Sequence, residues 1–202
     1  NATLRIGKVP VLYVPWMPFP TDERRRTGLL YPSISVSSRN GFDWRQPIYF
    51  NLAPNYDLTL TPRWMSKRGL QLGTEFRYLT ERGRGSFEIE ALSSDRLTER
   101  ERPEEIADPR IPPENYRKDN RGMFRYNGSQ NLDRTWQARA NLYWISDPAW
   151  LEDSSSSAEG VSFSSLPSNL GVYGRGLYWD AAALAEYYML SDNTIRETAL
   201  PF

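Results

Sequence analysis

Apolar and polar side chains alternate along this chain with a period of two, in stretches of about ten residues separated by turn-forming clusters. The clearest stretch runs from Tyr56 to Trp64: Tyr56, Leu58, Leu60 and Trp64 fall on one side, with Asp57, Thr59, Thr61 and Arg63 on the other. Successive side chains of an extended backbone point to opposite faces, so this pattern predicts strands whose two faces meet different surroundings. The following segment repeats it, with Leu70, Leu72, Phe76 and Tyr78 against Gln71, Glu75 and Arg77. An earlier one sets Phe42, Trp44, Ile48, Phe50 and Leu52 against Asp43, Arg45 and Asn51. Followed along the chain, the alternation predicts nine strands, at about residues 28–38, 42–52, 56–66, 70–80, 85–93, 120–129, 134–146, 168–179 and 181–191, and almost no helix.

The connections fall into two classes. Tight turns follow the second, fourth, sixth and eighth strands, at Ala53-Pro54-Asn55, Arg82-Gly83-Arg84, Asn131-Leu132-Asp133 and near Asp180. The long polar connections, residues 94–118 and 147–166, both follow odd-numbered strands and so lie at the opposite end; short turns at Arg39-Asn40-Gly41 and Lys67-Arg68-Gly69 share that end. Membrane β-barrels separate short turns from long loops in this way. The segment 94–118 alternates Arg with Glu and holds Pro103, Pro109, Pro112 and Pro113, which predicts a solvated, mobile loop, either a cover over the mouth of such a barrel or simply disordered.

Composition narrows the function. Seven Trp, twelve Tyr and eight Phe make 13% of the 202 residues, rich for so polar a chain and suited to aromatic girdles. A β-sandwich with a large aromatic core is the competing explanation. Mean hydropathy is −0.65, which on helical criteria reads as soluble, but barrel strands dilute their own hydropathy by alternating. Lys plus Arg and Asp plus Glu both number 25, so no basic field favours nucleic acid. Cys and His are both absent, which removes disulfides, thiol chemistry, the commonest metal ligand and the commonest general base. No cofactor is expected: Gly171, Gly174 and Gly176 do not space as a dinucleotide fingerprint and sit in a strand. The start at Asn1 shows no signal-peptide pattern, and nine strands with two open edges make an unfinished barrel, so the chain reads as an internal piece of a longer protein.

Several stretches resemble the LptD family of lipopolysaccharide-assembly outer-membrane proteins. They are Val9-Pro10-Val11-Leu12-Tyr13, Trp16-Met17-Pro18-Phe19-Pro20, Asp22-Glu23-Arg24-Arg25 and Gly28-Leu29-Leu30-Tyr31-Pro32. Pro47-Ile48-Tyr49-Phe50-Asn51-Leu52-Ala53-Pro54-Asn55-Tyr56-Asp57, Leu60-Thr61-Pro62-Arg63-Trp64-Met65 and Glu75-Phe76-Arg77-Tyr78-Leu79 follow in order. The resemblance is dense over residues 4–92, weaker at Ser146-Asp147-Pro148, and fades beyond about residue 150. It implies an all-β chain: residues 1–20 the end of a periplasmic β-jelly-roll, 21–27 a junction, and 28–202 the first strands of a large transmembrane β-barrel. It also implies an outer-membrane location with the N-terminal residues in the periplasm, and non-enzymatic transport of lipopolysaccharide. The implied partners are the LptE lipoprotein as a plug, LptA as a periplasmic bridge through the absent jelly-roll portion, and outer-membrane lipid. The family's disulfide-forming cysteines have no counterpart here.

Two prolines stand out. Pro32 lies in the first strand and Pro47 in the second, and a two-residue turn at Asn40-Gly41 would set residue 32 opposite roughly 47 to 49. Each removes a ladder donor. Taken alone, the pair reads first as ordinary edge-strand prolines that discourage aggregation. The resemblance implies a lateral gate, with Ile34 and Val36 lining the seam. Val11, Tyr13, Trp16 and Phe19 either pack a jelly-roll strand and its linker or form an apolar slide for acyl chains. Arg24, Arg25 and Arg26 either make a solvated junction or meet lipid phosphates. Glu75, Glu88 and Glu90 with Arg63 and Arg77 read as a charge-paired lumen rather than acid–base machinery. A diffusion porin or receptor barrel and a soluble carbohydrate-binding β-sandwich remain the competing functions.

Overall fold

The computed structural model describes residues 2–6, 9–14, 25–154 and 165–190. Ala2–Ile6 (β1) and Val9–Val14 (β2) pair as a two-stranded antiparallel sheet. Every other described strand belongs to one antiparallel sheet of eleven. These are Gly28–Leu29 (β3), Ser33–Ser37 (β4), Gly41–Arg45 (β5), Ile48–Ala53 (β6), Tyr56–Met65 (β7) and Gly69–Leu79 (β8). Gly83–Leu92 (β9), Arg121–Asn131 (β10), Trp136–Ile145 (β11), Ser165–Arg175 (β12) and Asp180–Leu190 (β13) complete it. From β7 to β13 each strand pairs with its sequence neighbours, while β5 and β6 lie end to end along β7, with β4 on β5 and β3 on β6. All nine expected strands are present; the count rises to eleven because the first two are each interrupted at a proline.

The register sorts the side chains as the alternation requires. On β7 and β8, Asp57 pairs with Arg77, Thr59 with Glu75 and Arg63 with Gln71 on one face. Tyr56 with Tyr78, Leu58 with Phe76 and Trp64 with Leu70 occupy the other. The apolar face carries a continuous aromatic row across four strands: Tyr56 to Phe76 at 6.5 Å, Phe76 to Phe87 at 6.3 Å and Phe87 to Tyr126 at 4.6 Å between ring centroids. Tyr78 donates to or accepts from Tyr126 at 2.8 Å, and its ring lies over Gly85, where a Cβ would meet the Tyr78 hydroxyl at 2.7 Å. Aromatic cover of a strand glycine restores packing that the missing side chain forfeits. Trp44, Trp64 and Trp144 mark the same face near the opposite end of the strands. From Tyr56 to Trp64 is eight residues, roughly 27 Å along an untilted strand.

Among the described residues, the polar face carries a hydrophobic core at the long-loop end. Met65, Leu92, Ile145, Trp150 and Leu166 pack there, with Met123, Tyr143 and Leu151 around them. Trp150 enters on a short helix, Trp150–Ser154 (α2), that follows β11 and turns in over the sheet; its terminal Ser154 carbonyl accepts from Arg63 and its hydroxyl donates to Glu90. The connection after β9 is not a mobile loop. Residues Arg96–Ala107 form a helix (α1) whose N-cap is Asp95, its carboxylate accepting from the Leu97 N–H at 3.0 Å. Charge density and prolines concealed this helix, because it is held by ion pairs rather than by an apolar stripe.

Those ion pairs form one network. Arg121, with a fully buried side chain, donates to both oxygens of Asp147 at 2.6 and 2.9 Å, to Asp95 at 2.9 Å and to Asp153 at 2.8 Å. Arg68 pairs with Asp95 at 2.6 Å and donates to the Asp153 carbonyl. Arg117 bridges Asp153 at 2.8 Å and Glu105 at 2.5 Å, and Arg39 reaches Asp153 at 3.3 Å. Four guanidiniums thus face the carboxylates of Asp95, Glu105, Asp147 and Asp153, and Glu152 joins at the exposed edge through Arg39. Such a cluster holds only while complete, since removing one buried partner strands the others, a loss of about 3–5 kcal/mol.

Burial pushes the Asp95 carboxyl up, but Arg68, the Leu97 N–H and Arg121 more than reverse it, so it titrates below the ordinary carboxylate range. Asp153 is held low in the same way, burial being outweighed by Arg117 and Arg121. With folded values below the unfolded value of about 3.9, their contribution is complete above that pH and is lost as pH falls through the folded values. Hydrogen-exchange protection of residues 95–107 and 147–153 is therefore expected to stay constant from pH 7 to about 4 and to collapse below it. Arg121→Met should abolish it already at pH 7, with the pairing of β7 to β8 unaffected.

Candidate functional site

The sheet is weakest at its first hairpin. Leu29 pairs with Ile48 below the break and Ser33 with Arg45 above it, so Leu30, Tyr31 and Pro32 face only Gln46 and Pro47. This one-residue excess, together with a three-residue turn at Ser38–Asn40 closed by Gly41 at φ +70°, shifts the expected alignment. Continuing the upper register, Pro32 stands opposite Gln46 rather than residues 47 to 49, and the two prolines still come within about one pair of each other. A proline offers no N–H, so neither can close the ladder.

A third proline completes the break. Pro62 of β7 falls opposite Gln46 in a register that β5 and β6 share, and its carbonyl accepts from the Gln46 N–H at 3.0 Å. The backbone groups of Pro62 thus face the interruption, where a residue with an N–H would have donated. What spans the gap is sparse. The Leu30 N–H donates to the Pro47 carbonyl at 2.9 Å and the Gln46 side-chain amide donates across to the Leu30 carbonyl at 2.9 Å, while the same amide also donates to the carbonyl of its own neighbour Pro47 at 3.1 Å. A side chain here does work that a backbone ladder does elsewhere.

On either side of the break the hairpin is secured differently. Above it, Lys67 donates to the Ser38 carbonyl at 2.9 Å, and Arg39 pairs with Glu152 of α2 at 3.1 Å. Below it, Asn51 donates from its backbone N–H to the Thr27 hydroxyl at 2.9 Å and from its side chain to the Arg25 carbonyl at 3.0 Å. Between them, β4 sets Ile34 opposite Trp44 and Val36 opposite Phe42 on the apolar face, while Ser33 and Ser35 share the polar face with Arg45 and Asp43. Ile34 and Val36 are 64% and 78% exposed, and Tyr31 beside the break is 81% exposed.

The other residues singled out from the sequence divide as follows. Arg25 reaches Asp57 at 3.2 Å, and Arg26 is exposed in the same segment. Trp16, Phe19 and Arg24 lie outside the described residues, as do the side chains of Val11 and Tyr13 on β2. On the polar face Arg63 pairs with Asp43 at 2.6 Å, Arg77 with Asp57 at 2.7 Å and Arg125 with Glu88, whereas Glu90 accepts from the neutral Gln71 amide at 2.8 Å and the Ser154 hydroxyl at 3.1 Å, and Glu75 makes no ion pair among the described residues. Among the described residues there is no cluster of three side chains able to hold a metal ion, and no helix long and apolar enough to cross a membrane.

A family model described as LptD protein matches residues 1–157, and one described as LPS transport system D matches residues 119–202. The chain belongs to the LptD family. The LPS-assembly protein LptD of Xanthomonas campestris pv. campestris (strain 8004) is 48% identical over 203 residues, covering 100% of this chain and 23% of the relative. That of Xylella fastidiosa (strain Temecula1) is 45% identical over the same span. The chain thus spans about a quarter of the length of the curated relatives it matches. The match over 119–202 also extends the family past the point where sequence motifs faded.

In this LptD chain the sequence pointed to Pro32 and Pro47 but not to Gln46 or Pro62. A glutamine beside a proline in a strand is unremarkable until register shows which carbonyls it meets. Gln46→Leu removes two hydrogen bonds worth about 1 kcal/mol each. It should speed amide exchange at Leu30 about tenfold or more, while the Leu79 N–H, bonded to the Asn55 carbonyl, exchanges as before. Unchanged exchange at Leu30 would show that the side chain does not hold the gap.

Proposed function

We propose that this chain supplies the opening strands of a transmembrane β-barrel that delivers lipopolysaccharide to the outer leaflet of the bacterial outer membrane, and that its proline break is the lateral gate. Residues 28–202 are the barrel part, 21–27 the junction, and 1–20 the end of a periplasmic β-jelly-roll. The observation that carries this reading is the coincidence of three prolines at one height, in the first hairpin of the sheet and the strand against it, in a chain of the LptD family. An apolar face about 25 Å tall between aromatic girdles is what a barrel presents to lipid, and Tyr56 to Trp64 with their neighbours supply one.

The chemistry follows from the backbone. In hydrocarbon every unpaired N–H or C=O costs several kcal/mol, so a continuous ladder resists opening. At Pro32, Pro47 and Pro62 there are no donors to lose, and separation there breaks fewer bonds than at any other height of these strands. Lipopolysaccharide carries acyl chains and sugars, and β4 offers a surface for each. Ile34 and Val36 meet the bilayer on the outside, while Ser33 and Ser35 face the polar interior. The transport is non-enzymatic, with energy supplied elsewhere. Lipopolysaccharide would arrive from an LptA bridge through the jelly-roll, where Val11, Tyr13, Trp16 and Phe19 form the apolar slide, and the LptE lipoprotein would plug the lumen.

Photo-crosslinking in cells tests this, with a reactive residue at Ile34 and then at Val36 of the full-length protein. Lipopolysaccharide adducts are expected at both; adducts at neither position would remove the gate from this seam. Replacing Pro32 and Pro47 together with residues that donate should tighten the hairpin and slow surface delivery several-fold. Unchanged delivery with a demonstrably closed ladder would count against gating, and a diffusion porin would then describe the barrel better.

A further inference from the structure

On the polar face, at the short-turn end, the strands from β7 to β11 surround a hollow of about 890 Å³. Four guanidiniums border it, those of Arg25, Arg77, Arg84 and Arg139, against the single carboxylate of Asp57. Asp57 is saturated: it accepts from Arg77 at 2.7 and 3.0 Å, from Arg25 at 3.2 Å and from the Tyr49 hydroxyl at 3.2 Å. Arg139 donates to the neutral Gln137 amide at 2.6 Å and lies over the Tyr173 ring at 5.0 Å, and Arg84 makes no ion pair among the described residues. The hollow therefore carries an excess of three positive charges. Elsewhere on this face Arg63 and Arg125 each have a carboxylate, and at the long-loop end Arg39, Arg68, Arg117 and Arg121 all pair with carboxylates.

The rest of the lining is amide and hydroxyl, including Asn127, Ser129 and Asn141. Guanidiniums that are free to fork onto phosphate oxygens, set among neutral side chains that hydrogen-bond hydroxyls, match a sugar that bears phosphate. The volume falls within the roughly 300–1,000 Å³ of small-molecule sites. Arg25 is held in place from two sides, by Asp57 through its side chain and by Asn51 through its carbonyl. We infer that this hollow is a binding site for the phosphorylated saccharide portion of the transported glycolipid, taken up at the short-turn end of the lumen before the acyl chains leave at the seam. The inference rests on the translocation reading and names where the charged half of that substrate is held.

The test uses the full-length protein in its detergent-solubilised complex, with isothermal titration of glucosamine 1-phosphate, glucosamine and inorganic phosphate. Glucosamine 1-phosphate should bind at least tenfold more tightly than either of the others. Arg84→Gln with Arg139→Gln should weaken it at least tenfold, and lysine at both positions should recover much of the loss; the lysine pair also controls for folding. Equal binding by the wild type and the glutamine pair would overturn the site, and equal binding of inorganic phosphate would overturn its saccharide part. In cells, a photoreactive residue at Asn141 is compared with one at Ile34. Lipopolysaccharide adducts at both are expected. Adducts at Ile34 alone overturn the hollow and leave the seam standing, whereas adducts at neither overturn the translocation reading itself.

Discussion

A strand that faces lipid must place its backbone N–H and C=O groups in a neighbour's ladder, because the bilayer offers them nothing else. In the barrel proposed for this chain, that requirement orders the molecule. It accounts for the pairing of each strand from β7 to β13 with its neighbours, lets side chains sort by parity into an apolar face and a polar face, and leaves proline as the residue able to weaken a chosen height. Pro32, Pro47 and Pro62 lie within a single rung or so, and the Gln46 amide mends the rung from the side. A seam of this kind is a local property of backbone chemistry and needs no hinge or moving domain.

The two ends of the sheet show different solutions to holding charge. At the long-loop end, arginines and carboxylates are matched and buried, and they lock α1 and α2 over the polar face. At the short-turn end the arginines outnumber their partners and stay open to solvent. The seam lies between a rigid cap and a charged basin, anchored to the first through Arg39 and to the second through Asn51 and the segment after Arg25.

What could be read from sequence was what repeats locally. The parity of Tyr56 to Trp64 needs no knowledge of partners, and the strands followed from it together with the separation of short turns from long loops. The alignment of Pro32 slipped because it depended on a turn of three residues and on one extra residue beside the break, neither of which has a distinctive spelling. The helix α1 escaped for another reason. Its amphipathic logic is electrostatic: Asp95, Arg68, Arg121 and Asp153 come from four separate parts of the chain and are meaningless singly. Even so, the Ser146-Asp147-Pro148 corner drew notice, and Asp147 proves to be the bidentate partner of Arg121. Pro62 was visible as a residue, yet its bearing on the seam required knowing which edge of β7 its backbone addresses.

The pairing of Arg39 with Glu152 spans 113 residues of sequence. The tip of the first hairpin, held locally by Ser66 and Lys67, thus gains one further tie from a helix that exists only after β11 has formed. In whatever direction the strands are laid down, the hairpin made earliest from neighbouring residues is among the last to be fastened, since closing so long a loop must await the strands between. The place where three prolines thin the ladder is therefore also the place whose last tie comes late in assembly. A sheet maturing this way would keep its first edge unlocked until the pairing of its neighbours had been completed.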